Sequence, residues 1–521
     1  MADRVTQGVA QEHGYGQAMT AWAAHLPAGM VVEDVDLLAR GSLARSWCTR
    51  WADDPARRAV YDDDQGWLTA GDLEERSRRV AGRLAASGLS PGDRVLISAE
   101  ASMPLVVAFV ACVRSGLAVV PANTAYRERE LGHVVRDALP AAAIVDDTER
   151  GRWAKDAAAE ADRPLTVLGT EVDGPAGPAP PWLDQASADD TALVIYTSGT
   201  TGTPKGAVLT HANLLASAEA VALAWRWSAE DRLVLALPLF HLHGLGVALC
   251  GTLTAGGSVV LRRRFRVGDV ADSIDRHQAT LFFGVPTMWS RLASAGRLGD
   301  LARLRLGVSG SAPMPASLHE AIATGSGQRI IERYGMTETV MNVSNPYEGE
   351  RRAGTVGFPL PGVEIRLAEG TAEIMVQGPN VFAGYWGRPD ATTDAFVDGW
   401  FASGDVGAID ADGYLRIVGR HKELIITGGY NVYPREVEDV LRTHPAVDDV
   451  AVVGAADPDW GEVVVAVVEG PGERRDTEAV LAHAAEGLAA YKRPKRVVFV
   501  DALPRNAMGK VVRSEVQDLL G

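Results

Sequence analysis

The run Tyr196 to Gly206, YTSGTTGTPKG, combines backbone freedom with hydroxyls in a way that suits a bound polyphosphate. Gly199, Gly202 and Gly206 permit conformations that a Cβ disfavours, and Thr197, Ser198, Thr200, Thr201 and Thr203 place hydroxyls beside backbone N–H groups. Lys205 adds a point charge for phosphate. A Walker P-loop requires Gly-Lys-Ser/Thr, with the hydroxyl on Mg²⁺, whereas here Lys205 stands between Pro204 and Gly206. A plain flexible linker has no reason to end in Thr-Pro-Lys-Gly.

A second chemically loaded stretch is ERYGMTETVMNVSNPYEGERRAGTVG, from Glu332. Tyr334 offers an aromatic face for adenine, and Gly335 leads to Thr337, a hydroxyl for an α-phosphate, and Glu338, a carboxylate for the Mg²⁺ that accompanies ATP. In VSGSAPM, Ser311 belongs to a small-residue turn where backbone can approach a flat purine. Asp405, read as part of a Ser-Gly-Asp-Val turn, can accept from both ribose hydroxyls, although turn aspartates are common. LALPLFHLHG reads as an apolar strand ending in His241 and His243, which on their own would be structural imidazoles. No further metal ligands are apparent near them. Pro286 suits the first turn of a helix, placing Arg291 a little over one turn in, where a lone arginine is ordinarily solvated. Lys510, beside Gly509, would by itself be a surface lysine.

These residues need a scaffold. A chain of 521 residues, 47% of them hydrophobic, implies two or more domains with sizeable cores. The net charge of -16 argues against nucleic acid or an anionic membrane as main partner. Cys48, Cys112 and Cys250 lie far apart with no CxxC spacing, so neither disulfides nor zinc are suggested and a cytoplasmic setting is expected. The start lacks an apolar signal core, and the apolar run Pro104 to Val120 is interrupted by Arg114. Strands expected at Arg94 to Ser98, Ala118 to Pro121 and Leu193 to Ile195 alternate with helices Leu73 to Ser87, Leu105 to Arg114 and Asn213 to Trp227. That alternation predicts an α/β fold with doubly wound parallel sheets. The polar joint His421-Lys422-Glu423 divides a large domain, 43–420, from a small C-terminal α/β domain, 421–521. Residues 1–42 form an extension with no usable period.

The order of these motifs resembles the AMP-forming acyl-CoA synthetases of the adenylate-forming superfamily, over nearly the whole chain from Leu43. Within that group the chain is most similar to malonyl-CoA synthetases, through GVPTMWSRL, VSGSAP, ERYGMTETVMNVSNPYEGERRAGTVG, GPNVFAGYW and ITGGYNVYPREVE. The resemblance implies ATP, Mg²⁺ and coenzyme A as reactants. A carboxylate and ATP give an acyl-adenylate and pyrophosphate, and the CoA thiol then gives a thioester and AMP. It implies Lys510 as the catalytic lysine, with Thr337 and Glu338, and Arg420 near the ribose. Lys422 becomes the hinge on which the small domain turns, and Gly428 and Gly429 line the pantetheine tunnel. His241 would gate the carboxylate pocket, Arg291 would read a second carboxylate, and Ser309 would complete the pocket. Two anions brought together demand cations, and a buried distal carboxylate is costly without one. Val343 departs from the hydroxyl residue of some malonyl enzymes and leaves methylmalonate or a longer 2-substituted acid open, and the extension before Leu43 is also atypical. Another short or medium-chain acid, or transfer to a carrier protein, are the alternatives; the oligomeric state is not legible.

Overall fold

Many strands of this chain are buried along their whole length: Ala118–Pro121, Ser258–Leu261, Leu281–Gly284, Leu306–Ser309 and Ile331–Tyr334. Strands of that kind belong in parallel sheets covered by helices on both faces. The computed structural model describes residues 22–172, 177–197, 204–428, 430–457, 460–470, 472, 475–506 and 509–520, and it has that architecture. A seven-stranded sheet runs in the order Gly384–Tyr385, Lys205–Thr210, Thr191–Thr197, Ala118–Pro121, Arg94–Ser98, Ala142–Val145, Thr166–Leu168. A nine-stranded sheet has at its centre the parallel strands Ile331–Tyr334, Leu306–Ser309, Leu281–Gly284, Arg232–Leu235 and Ser258–Leu261.

Alternation along the strands builds the layers. Val95, Ile97, Val119, Leu193 and Ile195 of the first sheet and Leu233, Leu235, Val259, Leu281 and Phe283 of the second enter one shared core. Between them lie the helices Leu43–Asp53, Met103–Arg114 and His211–Ala224, the second of them buried at every residue except Pro104. Ser102 caps Met103–Arg114 by accepting from the Leu105 N–H, and Pro104 falls in its first turn. The opposite faces pack outward, Leu96, Val120 and Ala143 against Glu128–Ala138 and Thr148–Glu160, and Val234, Val260 and Phe282 against Val267–Arg276 and Pro286–Ser294.

A third, largely antiparallel sheet holds Glu364–Leu367, Glu373–Gln377, Phe396–Val397, Trp400–Ile409 and Leu415–Arg420. A short 3₁₀ turn, His421–Glu423, follows, and the chain then enters a separate five-stranded sheet with the helices Pro434–Leu441 and Thr477–Gly487. Upstream, Trp22 donates to the Val363 carbonyl at 2.9 Å, the His25 ring bonds the Phe358 carbonyl at 3.1 Å, and Arg226 holds the His25 and Leu26 carbonyls. The stretch from Trp22 is therefore fastened to the large domain.

Two local expectations are corrected. The strand before the histidines ends at Leu235, because Pro238 lacks an N–H; His241 lies in a turn, and His243 opens a wide helical segment, His243–Leu249. Asp405 belongs to the ten-residue strand Trp400–Ile409, whose register shifts after Val406, and Gly404 takes φ +74° there. It is a bulged strand and not a free turn.

Candidate active site

The parallel strands Arg232–Leu235, Leu281–Gly284, Leu306–Ser309 and Ile331–Tyr334 deliver their carboxyl ends to one side of the sheet, where ligands of open α/β sheets bind. Asp405 faces this region across from Tyr334. It is buried, and each carboxylate oxygen has one protein donor: the Tyr334 hydroxyl at 2.7 Å and the Arg420 Nε at 2.7 Å. The second contact follows from register, since Asp405 and Arg420 are partners across adjacent antiparallel strands. Each oxygen keeps a further lone pair for a ribose hydroxyl.

Glu338 is held by a clasp that sequence reading missed. The segment from Pro379 to Tyr385 wraps its loop: Asn380 donates to the Thr339 and Met341 carbonyls at 2.7 and 3.0 Å, and the Phe382 N–H to the Glu338 carbonyl at 2.8 Å. Tyr385 then donates to the Glu338 carboxylate at 3.0 Å while its ring lies 5.2 Å beneath the Lys205 ammonium. Tyr385 reaches both because its short strand pairs with the one Lys205 begins, Tyr385 opposite Ala207. Glu338 is a carboxylate whose pKa burial raises, against the Tyr385 hydrogen bond and the Arg420 charge. It fits Mg²⁺, an ion that takes one or two carboxylates and fills its shell with phosphates and water. No group of three or more metal-ligating side chains occurs among the described residues, so an all-protein cage is not the design there. Gly335 has its own necessity: a Cβ would lie 2.2 Å from the Val340 carbonyl oxygen. Thr337 is half-buried on the same loop.

Of the phosphate run, Thr197 and Lys205 end and begin paired strands, Thr197 opposite Lys205. Ser198, Gly199, Thr200, Thr201, Gly202 and Thr203 lie outside the described residues, as does Gly429. The histidines and Ser311 are brought together: His243 Nδ1 lies 3.2 Å from the Ser311 Oγ, and Ser311 takes φ +69°. Desolvation pushes His241 down to about 4 and His243 well below its usual value, the latter helped by the Arg333 charge and by His241. Both are neutral at physiological pH. Ser309 is buried, its hydroxyl without a partner among the described residues; it shares a strand face with Gly307, on which Trp289 packs. It therefore faces the helix Pro286–Ser294 that carries Arg291, whereas His241 neighbours His243.

The Arg291 side chain is exposed and makes no ion pair or hydrogen bond with any described residue, while its carbonyl accepts from the Ala295 N–H at 3.1 Å. One turn earlier on the same face, Thr287 touches the small domain: a Cβ built on Gly509 would stand 3.0 Å from its Oγ1. The adjacent Lys510 keeps an exposed surface, yet the surrounding protein lowers its pKa by desolvation first and by the Arg420 guanidinium second, with Asp405 and Glu423 acting the other way. The lysine loop is thus seated over the site, tied internally by Asn506, whose side chain accepts from the Lys510 N–H at 3.0 Å.

On the small domain Gly428 adopts φ +56°, with the Trp460 ring where a side chain would be. Trp460 and Tyr430 are exposed, Tyr430 stacks on Tyr491 at 4.7 Å, and Lys495 lies 5.1 Å over Trp460. An aromatic, basic face of this kind suits a base and phosphates.

Residues 47–386 match the AMP-binding enzyme family, and residues 436–510 match the AMP-binding enzyme C-terminal domain. The chain is an AMP-binding enzyme. It is 39% identical over 469 residues to a feruloyl-CoA synthase from an Amycolatopsis species, spanning 87% of this chain and 94% of the relative. It is 35% identical over 480 residues to the malonate–CoA ligase of Arabidopsis thaliana, spanning 83% and 79%. ATP-bound MatB from Rhodopseudomonas palustris superposes with a TM-score of 0.86 at 39% identity, over 91% of this chain and 98% of that one. This AMP-binding enzyme is accordingly an acid–thiol ligase that works through an acyl-adenylate, with ATP, Mg²⁺ and CoA as its reactants and cofactor.

Proposed function

We propose that this AMP-binding enzyme activates malonate, and accepts methylmalonate, to form the corresponding CoA thioester with release of AMP and pyrophosphate. The observation that carries the reading is the uncommitted guanidinium of Arg291, one helical turn beyond the point where the Lys510 loop docks on Thr287. A short diacid spanning that interval has one carboxylate under Lys510, where attack on the α-phosphorus needs cationic help, and the other within reach of Arg291. The relative named as a malonate–CoA ligase supports the reading, and the one named as a feruloyl-CoA synthase opposes it. Asp405, with Tyr334 and Arg420, holds the ribose; Lys205 and Mg²⁺ on Glu338 neutralise the polyphosphate; Thr337 meets the α-phosphate. Lys422 is the hinge, and the Gly428 face receives CoA once the small domain has turned.

The test is CoA-dependent AMP release across malonate, methylmalonate, succinate, acetate and butyrate, with mass detection of each thioester. Malonate or methylmalonate is expected to dominate, and Arg291→Ala is expected to lower kcat/KM for malonate by roughly 100-fold while changing butyrate little. Preference for monocarboxylates overturns the diacid reading and leaves the ligase. Adenylate without thioester moves the acceptor from CoA to a carrier protein.

A further inference from the structure

The small domain is moored beside its joint as well as at Thr287. In the strand Leu415–Arg420, the last of the large domain, Leu415 accepts from the Val356 N–H and donates to the Gly357 carbonyl, each at 2.8 Å. Two residues on, the Ile417 carbonyl points the same way, and its donor comes from the small domain: Arg435 Nη1 at 2.6 Å. On the same strand a Cβ on Gly419 would stand 3.0 Å from the Tyr433 ring. The chain entering the helix Pro434–Leu441 therefore lies flush against this strand.

Glu332 belongs to the same corner. Its carboxylate accepts from the Gly354 N–H at 3.1 Å, two residues before Val356, and from the Met314 N–H at 3.3 Å. Arg435, its side chain 14% exposed, acts on Glu332 across the domain boundary, as Glu332 acts on it. The other charge felt by Glu332 is Asp439, one turn along the same helix, which lies 3.7 Å from Arg435 but is largely exposed and also pairs with Arg442 at 3.3 Å. Glu438, which also acts on Arg435, is paired with Arg513 at 2.7 Å. Glu332 is thus the large-domain carboxylate that Arg435 faces. A desolvated guanidinium needs such a countercharge. Ile417 and Arg435 stand on either side of the joint His421–Glu423, so a turn of the small domain about that joint parts them.

We propose that Arg435 is a positioning residue for the adenylate-forming step: it fastens the small domain in its seated arrangement by donating to the Ile417 carbonyl and facing the Glu332 carboxylate, and it holds more firmly when that carboxylate is charged. This rests on the reading in which the seated arrangement forms the adenylate and a turned one forms the thioester. Burial brings Glu332 to about 7, and the Arg435 charge opposes that rise. Departure of the cation lifts the value further. Proton loss and seating therefore favour each other, and seating strengthens as pH rises through about 7.

The experiment measures ATP–pyrophosphate exchange, and separately thioester formation from isolated acyl-adenylate and CoA, between about pH 6 and 8.5. Wild type is compared with Arg435→Met, Arg435→Lys, Glu332→Gln, the Arg435→Met/Glu332→Gln double variant, and Lys422→Pro at the joint. Arg435→Met is expected to lower exchange by roughly 10-fold while the thioester step is kept or quickened, the reverse of the pattern expected of Lys422→Pro. In wild type the ratio of exchange to thioester formation is expected to rise with pH. Arg435→Met and Glu332→Gln each flatten that rise, the double variant adds nothing further to the flattening, and Arg435→Lys, which keeps the charge, retains it. Equal losses in both half-reactions for Arg435→Met, or an undiminished pH dependence of the ratio, overturn the proposal. If Lys422→Pro separates the half-reactions and Arg435→Met does not, the two-arrangement reading stands and the Arg435 assignment falls. If neither separates them, both fall. Should Arg435→Met not fold by thermal scanning, Glu332→Gln decides alone, and a ratio that still rises with pH as in wild type overturns the assignment.

Discussion

Lys510 and Glu332 show how one residue's surroundings decide what it can be asked to do. Lys510 stands where Asp405, Arg420 and Glu423 all act on its charge, next to the Thr287 contact, and its exposed surface spares it a structural role. Lys510→Ala is expected to lower ATP–pyrophosphate exchange by about 100-fold or more while leaving the thermal transition in place. Exchange at the wild-type rate would remove this lysine from the chemistry. Glu332 carries a different consequence. Burial raises its pKa from 4.5 to about 7, against the two backbone N–H groups it accepts from. Because the folded value lies above the unfolded one, the folded state binds the proton more tightly through this interval, and stability falls as pH rises from about 4.5 through 7. At full ionisation the penalty is on the order of 3 kcal/mol. Glu332→Gln, which keeps an acceptor, is expected to flatten the decline in melting temperature between pH 5 and about 8; an unchanged slope would place the proton elsewhere.

At the scale of elements, the joint is a single 3₁₀ turn between two sheets that share no strand, with Lys422 exposed at its centre. Lys422→Pro fixes one dihedral of that turn. If the small domain turns there, the variant should keep pyrophosphate exchange and lose thioester formation by roughly 100-fold, whereas equal rates in both assays would put the pivot at another residue. The elements were legible to different degrees, for physical reasons. Strands such as Arg94–Ser98 and Arg496–Val500 and the helix starting at Pro286 announce themselves through apolar runs and a proline at the first turn. Pro238 carried the opposite signal, and reading Leu235 to Gly244 as one strand ignored it. The residue types around the nucleotide are legible because ribose, metal and phosphate each demand one chemistry. Tyr385 is not, since its reach to Glu338 and Lys205 exists only once its short strand pairs beside Ala207.

At the scale of the whole molecule, the contact of Gly509 with Thr287 joins two parts of the chain that must also be able to part. The seated arrangement holds Lys510 over the acid, and on our reading the thiol enters only when the Gly428 face has replaced it. The two arrangements then draw on one population. A ligand that binds either of them withdraws molecules from the other, by the reciprocity of linked equilibria. An unreactive analogue of CoA lacking the thiol is therefore expected to slow pyrophosphate exchange and to be outcompeted by added acid and ATP, although it occupies none of their positions. An exchange rate indifferent to the analogue would mean that the lysine loop leaves its seat without regard to what waits on the other face. In kinetic terms, on that reading, the seating of the lysine loop against Thr287 makes the acceptor a brake on the half-reaction that precedes it.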